Sequence, residues 1–337
     1  MFSRTLIFIA FFLLLSVEAS FSGPFLDAEG VNMAIKEKGA TWVAGETSVS
    51  QLTREQQKQR LNAHPEVVQD KSRLAKLVPA PDLPFRFSWR DNGGDYITPV
   101  RDQGMCGSCS YFSTLAAVEA WERIRSKNPR LNIDLSEQYI LSCGAVGSCE
   151  RGAMIQEIYR FMMQKGTVQE ECFPYMANDA IPCSDVCPPA EQKFVRIGNF
   201  VVLDGFVTTV EDLKNAVYHR PVSASMAVYE DFYYYTNGVY EHVTGELDGY
   251  HAVLIYGWDE AEQSWLCKNS WGTSWGNRGH FRIKYDDSYI ASVAVLLWDE
   301  PAGSPRLDVF PQIVDITLAP GESTTKFLTV KNAGSGN

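Results

Sequence analysis

All eight cysteines of this 337-residue chain fall between Cys106 and Cys267. What eight thiols permit depends on the compartment, because an oxidising one makes bridges of them and a reducing one leaves ligands or reactive groups. The N-terminus decides between these. Arg4 precedes an apolar run over residues 6–15, and Val17, Ala19 and Ser20 give the small-residue spacing of a cleavage site. A run of about ten apolar residues is half the roughly 20 needed to cross a bilayer, so residues 1–19 read as a secretory signal peptide and not as an anchor. No other uninterrupted stretch approaches spanning length. The mature chain is expected in the secretory pathway, without a membrane span, and disulfides are the default fate of its cysteines.

Three zones follow. Residues 20–82 hold no cysteine, balance eight acids against eight bases, and contain a Gln/Lys/Arg-rich stretch over 51–61 that reads as helical. They end in VPAPDLP (78–84), too rich in proline to continue a helix and suited to an exposed, cleavable linker. Residues 83–302 carry every cysteine, every tryptophan except Trp42, and 18 bases against 29 acids, so the whole net charge of −11 lies there. That acid excess argues against a nucleic-acid partner. Residues 303–337 alternate apolar runs (307–310, 313–318, 327–330) around Pro320-Gly321, a β pattern too short to bury a core alone and compatible with the start of an incomplete β-sandwich module.

The segment QGMCGSCSYF (103–112) opens a helical pattern in which Phe112, Leu115, Ala116 and residues 121–124 recur before Asn128-Pro129 stops it. Cys109 thus stands at a helix N-terminus, where unpaired N–H groups and the helix dipole favour thiolate over thiol. The same residues spell a C-x-x-C redox pair, Cys106 with Cys109, and from this segment alone the two readings stand level.

A thiolate nucleophile needs a proton acceptor. Among five histidines, His64 lies in the N-terminal zone, His219 and His242 in polar, turn-like surroundings, and His280 in a short Gly-flanked strand; His251 heads the strand-like run HAVLIYGW. Downstream, KNSWGTSWG sets Asn269 beside Trp271 and Trp275. An amide can fix one nitrogen of an imidazole and an indole can shield that bond, so cysteine, histidine and asparagine make a nucleophile, base and orienter.

These motifs together resemble the papain family of cysteine proteases, in the branch of cathepsins B and C, over about 220 residues from Leu83 onward. The resemblance implies an α+β, papain-like two-subdomain fold: a helical half around the Cys109 helix and a β-rich half carrying His251 and Asn269, with the cleft between them. It makes Cys109 the nucleophile, His251 the acid and base, Asn269 its orienter, and Gln103 an oxyanion donor alongside the Cys109 amide. It places Trp271 over the Asn269–His251 contact and makes LSEQYILSC (135–143) a helix beside the cleft. Residues 20–82, notably TWVAGE (41–46), resemble a short inhibitory propeptide, making the chain a zymogen cleaved near residues 79–84.

Two positions depart from the family pattern. Ser110 stands where Trp or Tyr usually follows the nucleophile, with Tyr111 one step later. Arg151-Gly152 replaces a glycine pair: Gly152 can still offer backbone hydrogen bonds to an extended substrate, while Arg151 narrows that rim and adds positive charge. The branch implies bridges Cys106–Cys149, Cys143–Cys183 and Cys172–Cys187, leaving Cys267 a buried, inert thiol and removing the redox reading; a zinc site at Cys183 and Cys187 is the minor alternative. The chain lacks the paired histidines by which cathepsin B trims C-terminal dipeptides and the large N-terminal domain by which cathepsin C trims N-terminal ones, so an endopeptidase with a cleft open at both ends is expected. Val293 aligns with the floor of the second specificity pocket and implies an apolar preference, graded because one methylene is worth about 1 to 3 kcal/mol. No cofactor or metal is implied. The expected partners are polypeptide substrates, the chain's own propeptide and protein protease inhibitors, with the enzyme a monomer in a lysosome-like vacuole or outside the cell. A catalytically silent papain-fold binding protein is the alternative, and thiol-disulfide exchange the remote one.

Overall fold

The computed structural model describes residues 26–64, 80, 82–189, 193–204 and 208–297, with the backbone alone of Leu307–Phe310 and Thr329–Asn332. The expected leader at 1–19 and the expected strand at 313–318 lie outside the described residues.

Two helices and one short strand open the described chain: α1 (Ala28–Lys38), β1 (Val43–Ala44) and α2 (Arg54–Lys58). Asp27 caps α1 by accepting from the Gly30 amide, and Gly39 ends it at φ 73°, a left-handed turn that glycine adopts without strain. Thr53 and Gln56 close a capping box on α2. The helix predicted over 51–61 is only these five residues, because from Arg60 the backbone leaves the helix and gives its carbonyls to the cleft.

The main unit begins with β2 (Arg86–Ser88), then α3 (Cys109–Arg125), α4 (Glu137–Cys143) and α5 (Ile155–Gln164). Every residue of α3 from Cys109 to Ala120 is buried. A helix enclosed on all sides is a core element, which suits its run of small and apolar side chains. Ser136 caps α4 through the Tyr139 amide. The second half holds β3 (Phe200–Asp204), α6 (Val210–His219), β4 (Val222–Tyr229), β5 (Tyr235–Asn237), β6 (Val239–Tyr240), β7 (Leu247–Asp259), β8 (Ser264–Lys268), β9 (His280–Lys284) and β10 (Val293–Leu297). Its sheet runs β3-β10-β4-β7-β8-β9-β6, antiparallel except for β6 with β9, and β2 also pairs with β7. The middle of β7 reads as a continuous apolar run because both α3 and α6 pack against that strand. His219, expected in a turn, is the last residue of α6.

Buried polar links join the halves. Glu119 of α3 accepts from Thr98 Oγ1 at 2.6 Å and from the Leu135 amide at 2.7 Å, and Lys268 of β8 donates to the same hydroxyl at 3.1 Å. Three bridges form, Cys106–Cys149, Cys143–Cys183 and Cys172–Cys187, leaving Cys109 and Cys267 free and buried. Closing loops of 43, 40 and 15 residues, each is worth about 3 to 4 kcal/mol in the chain-entropy account. Cys106 is thereby withdrawn from any pair with Cys109, and Cys183 and Cys187 belong to different bridges, which leaves no zinc pair. The last two described strands, β11 (Leu307–Phe310) and β12 (Thr329–Asn332), pair antiparallel.

Candidate active site

The site lies where the start of α3 meets β7. Cys109 opens the helix, and His251 sits on β7 opposite Met226 of β4. The backbone of Ala252, the residue after His251 on that strand, and that of Ser110 at the helix start lie close enough to the Cys109 sulfur to act on its charge. The elements that carry the thiol and the imidazole, α3 and β7, pack directly against each other.

Asn269 lies one residue past the end of β8, and its Oδ1 accepts from His251 Nε2 at 2.7 Å. That oxygen also accepts from the Ser270 amide at 2.7 Å, which identifies it as the carbonyl end. Nε2 therefore carries its proton, and Nδ1 is the basic nitrogen. Nδ1 is buried without a well-formed hydrogen bond, beside the Arg60 backbone. Trp271 covers the pair, its ring centroid 4.6 Å from that of His251, and packs edge-on against Trp275.

Gln103 is fully buried and held at each polar atom. Its Oε1 accepts from Ser270 Oγ at 2.8 Å, its amide donates to the Ser270 carbonyl, and its carbonyl accepts from Tyr175 Oη at 2.8 Å. Its Nε2 donates to the Cys106 carbonyl and to the Arg60 carbonyl at 2.9 Å. Ser270 and Tyr175 went unnoticed in the sequence. Ser270 adjoins Asn269 and was within reach of inference, whereas nothing in the spacing of Phe173-Pro174-Tyr175 points to residue 103.

The N-terminal segment crosses this site. The Leu61 carbonyl lies 3.7 Å from Cys109 Sγ, Asn62 Nδ2 donates to the Glu150 carbonyl, the Ala63 amide donates to the Tyr250 carbonyl, and His64 Nε2 lies 2.7 Å from the Arg151 carbonyl. Gly152 has φ 66°, and a Cβ there would stand 1.9 Å from the Asn62 carbonyl oxygen, so only glycine admits the segment so closely. Arg151 is exposed and engages the segment through its backbone. On the other side of the thiol, Arg54 pairs with Glu230 and, at 2.6 Å, with Asp248, while Arg60 pairs with Asp102 at 2.9 Å. Trp42 lies against Tyr235 and Tyr240, with its Nε1 on the Glu241 carbonyl.

Covering the site changes its acid–base state. Burial pushes the Cys109 thiol up to about 11, and the helix-start amides pull it back only in part. Burial likewise pulls the His251 imidazole down to about 4, against the Asn269 hydrogen bond and with help from the nearby Arg60 charge. The thiolate expected at a helix N-terminus is therefore absent from the covered site, because desolvation outweighs the dipole. The buried Cys267 thiol is raised well above its usual range by desolvation alone.

Val293 begins β10, pairs with β3 and is fully enclosed, and its amide donates to Ser225 Oγ at 2.9 Å. Ser225 is the β4 partner of Ala252, which sets Val293 two strands from His251.

A thiol at a helix start, an oriented imidazole and a locked amide donor in a cleft between two halves define a cysteine peptidase. The family model for papain family cysteine protease matches residues 83–296, and the chain belongs to that family. It is 30% identical over 279 residues to Cathepsin B-like CP3 of Giardia intestinalis, covering 80% of this chain and 93% of that one. It is 35% identical over 209 residues to Zingipain-2 of Zingiber officinale, covering 60% and 88%. Among solved structures, proCathepsin B S9 from Trypanosoma congolense shares the fold at a TM-score of 0.69 and 24% identity, over 83% of this chain and 100% of the other. Digestive procathepsin L2 from Tenebrio molitor larval midgut matches at 0.61 and 26%, over 80% and 88%. No helix among the described residues is long and apolar enough to cross a membrane.

Proposed function

We propose that the chain is the zymogen of a cysteine endopeptidase that works through Cys109, His251 and Asn269 and is kept inactive by its N-terminal segment, residues 20–82, a propeptide. The observation that carries this reading is the Arg60–Leu61 backbone: one carbonyl on Gln103 Nε2 and the next on Cys109 Sγ, the positions a reacting peptide must take. Residues 62–64 lie on the Gly152 side, where substrate residues preceding the scissile bond are expected. The segment thus runs opposite to a substrate, which explains how it occupies the cleft without being cut.

Once the segment leaves, water re-enters and the two groups exchange a proton, giving thiolate and imidazolium. The thiolate attacks the peptide carbonyl, Gln103 Nε2 and the Cys109 amide stabilise the oxyanion, and His251 protonates the departing amine. His251 then takes a proton from the water that hydrolyses the thioester. Asn269 holds the imidazole in the tautomer that keeps Nδ1 toward sulfur. Arg151 and Gly152 form one rim, and Val293 gives the second pocket an apolar floor. Synthesis through the secretory pathway, with an acidic vacuole or the cell exterior as destination, fits the leader and the bridges.

After cleavage between residues 64 and 83, internally quenched peptides with blocked ends should be hydrolysed well, and Cys109→Ala should abolish this. Activity confined to free-ended dipeptide substrates would overturn the endopeptidase reading. A processed chain that binds peptides and hydrolyses none would be the silent papain-fold protein.

A further inference from the structure

The N-terminal segment brings two cations to one enclosed carboxylate. Arg54 and Lys58, one helical turn apart on α2, approach Asp248 Oδ1 at 2.6 and 3.6 Å, and the Asp248 side chain is 1% exposed. Its other oxygen accepts from Tyr233 Oη at 3.1 Å. Arg54 also pairs with Glu230, whose second oxygen accepts from the Glu246 amide at 3.1 Å. Among the described residues, no other cation pairs with Asp248 or Glu230, so both partners leave with the segment.

Asp248 belongs to the reacting cleft. It precedes His251 by three residues on β7, about 10 Å of strand. The β4–β7 register passes from Val228↔Gly249 to Tyr229↔Leu247 and skips Asp248. That irregularity interrupts the alternation that would otherwise turn residues 248 and 251 to opposite faces. The Tyr233 ring that bonds Asp248 also lies 5.8 Å from Trp271, the indole over His251. Residues 54–58 precede the Leu61 contact with the thiol, while residues 62–64 occupy the Gly152 side. The carboxylate is therefore on the side from which the amine product departs.

We propose that Asp248, fixed by Tyr233 and supported by Glu230, makes the leaving-group side of the cleft select a lysine or arginine within the first two substrate residues after the scissile bond. This rests on the peptidase reading and adds to it a preference that the apolar second pocket does not give. A carboxylate shaped to be enclosed by a cation is costly to enclose without one, so a substrate ending that enclosure with a neutral or acidic side chain loses binding. The segment's own arginine shows the geometry such a side chain would adopt.

The test uses the processed enzyme and internally quenched peptides with one fixed sequence before the scissile bond and Lys, Arg, Ala or Glu at each of the next two positions. Lys and Arg peptides should exceed the Ala peptide in kcat/KM by about tenfold at one of the two positions, with Glu lowest. In Asp248→Asn the Lys-to-Ala ratio should fall to within about twofold of one, and Asp248→Lys should favour Glu. Should those variants not fold, the wild-type Lys-to-Ala ratio still reads the idea: it should shrink as salt rises from about 50 to about 500 mM. Equal rates on Lys, Ala and Glu peptides by wild-type enzyme, or an unchanged ratio in Asp248→Asn, would overturn the inference and leave the peptidase reading standing. Hydrolysis of no peptide at all would instead remove the reading on which it rests.

Discussion

The covered site predicts a pH dependence that should appear most clearly in a variant without the nucleophile. In Cys109→Ala, His251 has no thiol with which to exchange a proton, so its charge follows its surroundings alone. Burial in the covered site holds the imidazole down from its ordinary 6.5 to about 4, and an imidazole that regains water when the segment leaves should return toward 6.5. The proton therefore binds the uncovered enzyme better than the covered one. Covering is fully favoured above about pH 6.5, weakens as pH falls, and levels off below about 4. Between pH 7.5 and 5 the two titration curves separate by roughly 1.5 pH units of binding, which is about 2 kcal/mol or about thirtyfold in affinity. Calorimetric binding of a peptide spanning residues 26–64 to the processed Cys109→Ala enzyme should show this loss. The wild-type enzyme should show a flatter response in the same window, since its uncovered thiolate–imidazolium pair already holds the proton that the covered thiol holds. The covered thiol, held up to about 11 by burial, stays protonated throughout this window. Affinity for the Cys109→Ala enzyme that is constant, or greater at pH 5, would refute the assignment of a buried neutral His251.

Other outcomes follow from single contacts. Asn269→Ala frees His251 Nε2 from its 2.7 Å bond and should lower kcat/KM by about 10- to 1000-fold at unchanged melting temperature; a change under threefold would deny the orienting role. Gly152→Ala drives a methyl into the Asn62 carbonyl and should weaken binding of the 26–64 peptide at least about tenfold by the same calorimetry. If Val293 floors the second pocket as proposed, Val293→Glu should shift preference there from apolar to basic side chains in a peptide library, while an unchanged profile would remove this buried residue from that pocket.

Local signals in the sequence were enough to anticipate the Cys109 helix, the β7 run with His251 and the Asn269–Trp271 turn. In each case the pattern of apolar residues or the breaker after it lies within a few positions of the functional residue. The three bridges came from the resemblance, since eight cysteines by themselves leave many pairings open. Contacts made across long chain separations were hidden. Ser270 meets Gln103 across 167 positions, Thr98 meets Lys268 across 170, and Arg54 meets Asp248 across 194. Nothing near Asp248 in LDGYHAV marks it as a cation site until α2 is laid against it. The helix within 51–61 stops short for a related reason: the composition favours helix, yet the cleft draws Arg60 and Leu61 into a shape that no local preference encodes.

The central claim is that one thiol does the chemistry and that the N-terminal segment shuts it off. Treating the chain with a thiol-directed epoxide before and after cleavage between residues 64 and 83, and mapping adducts by mass spectrometry, tests both halves of it. The account predicts one adduct, on Cys109, in the cleaved chain and almost none in the intact one. Equal labelling of both forms, or labelling of Cys267 in place of Cys109, would contradict it.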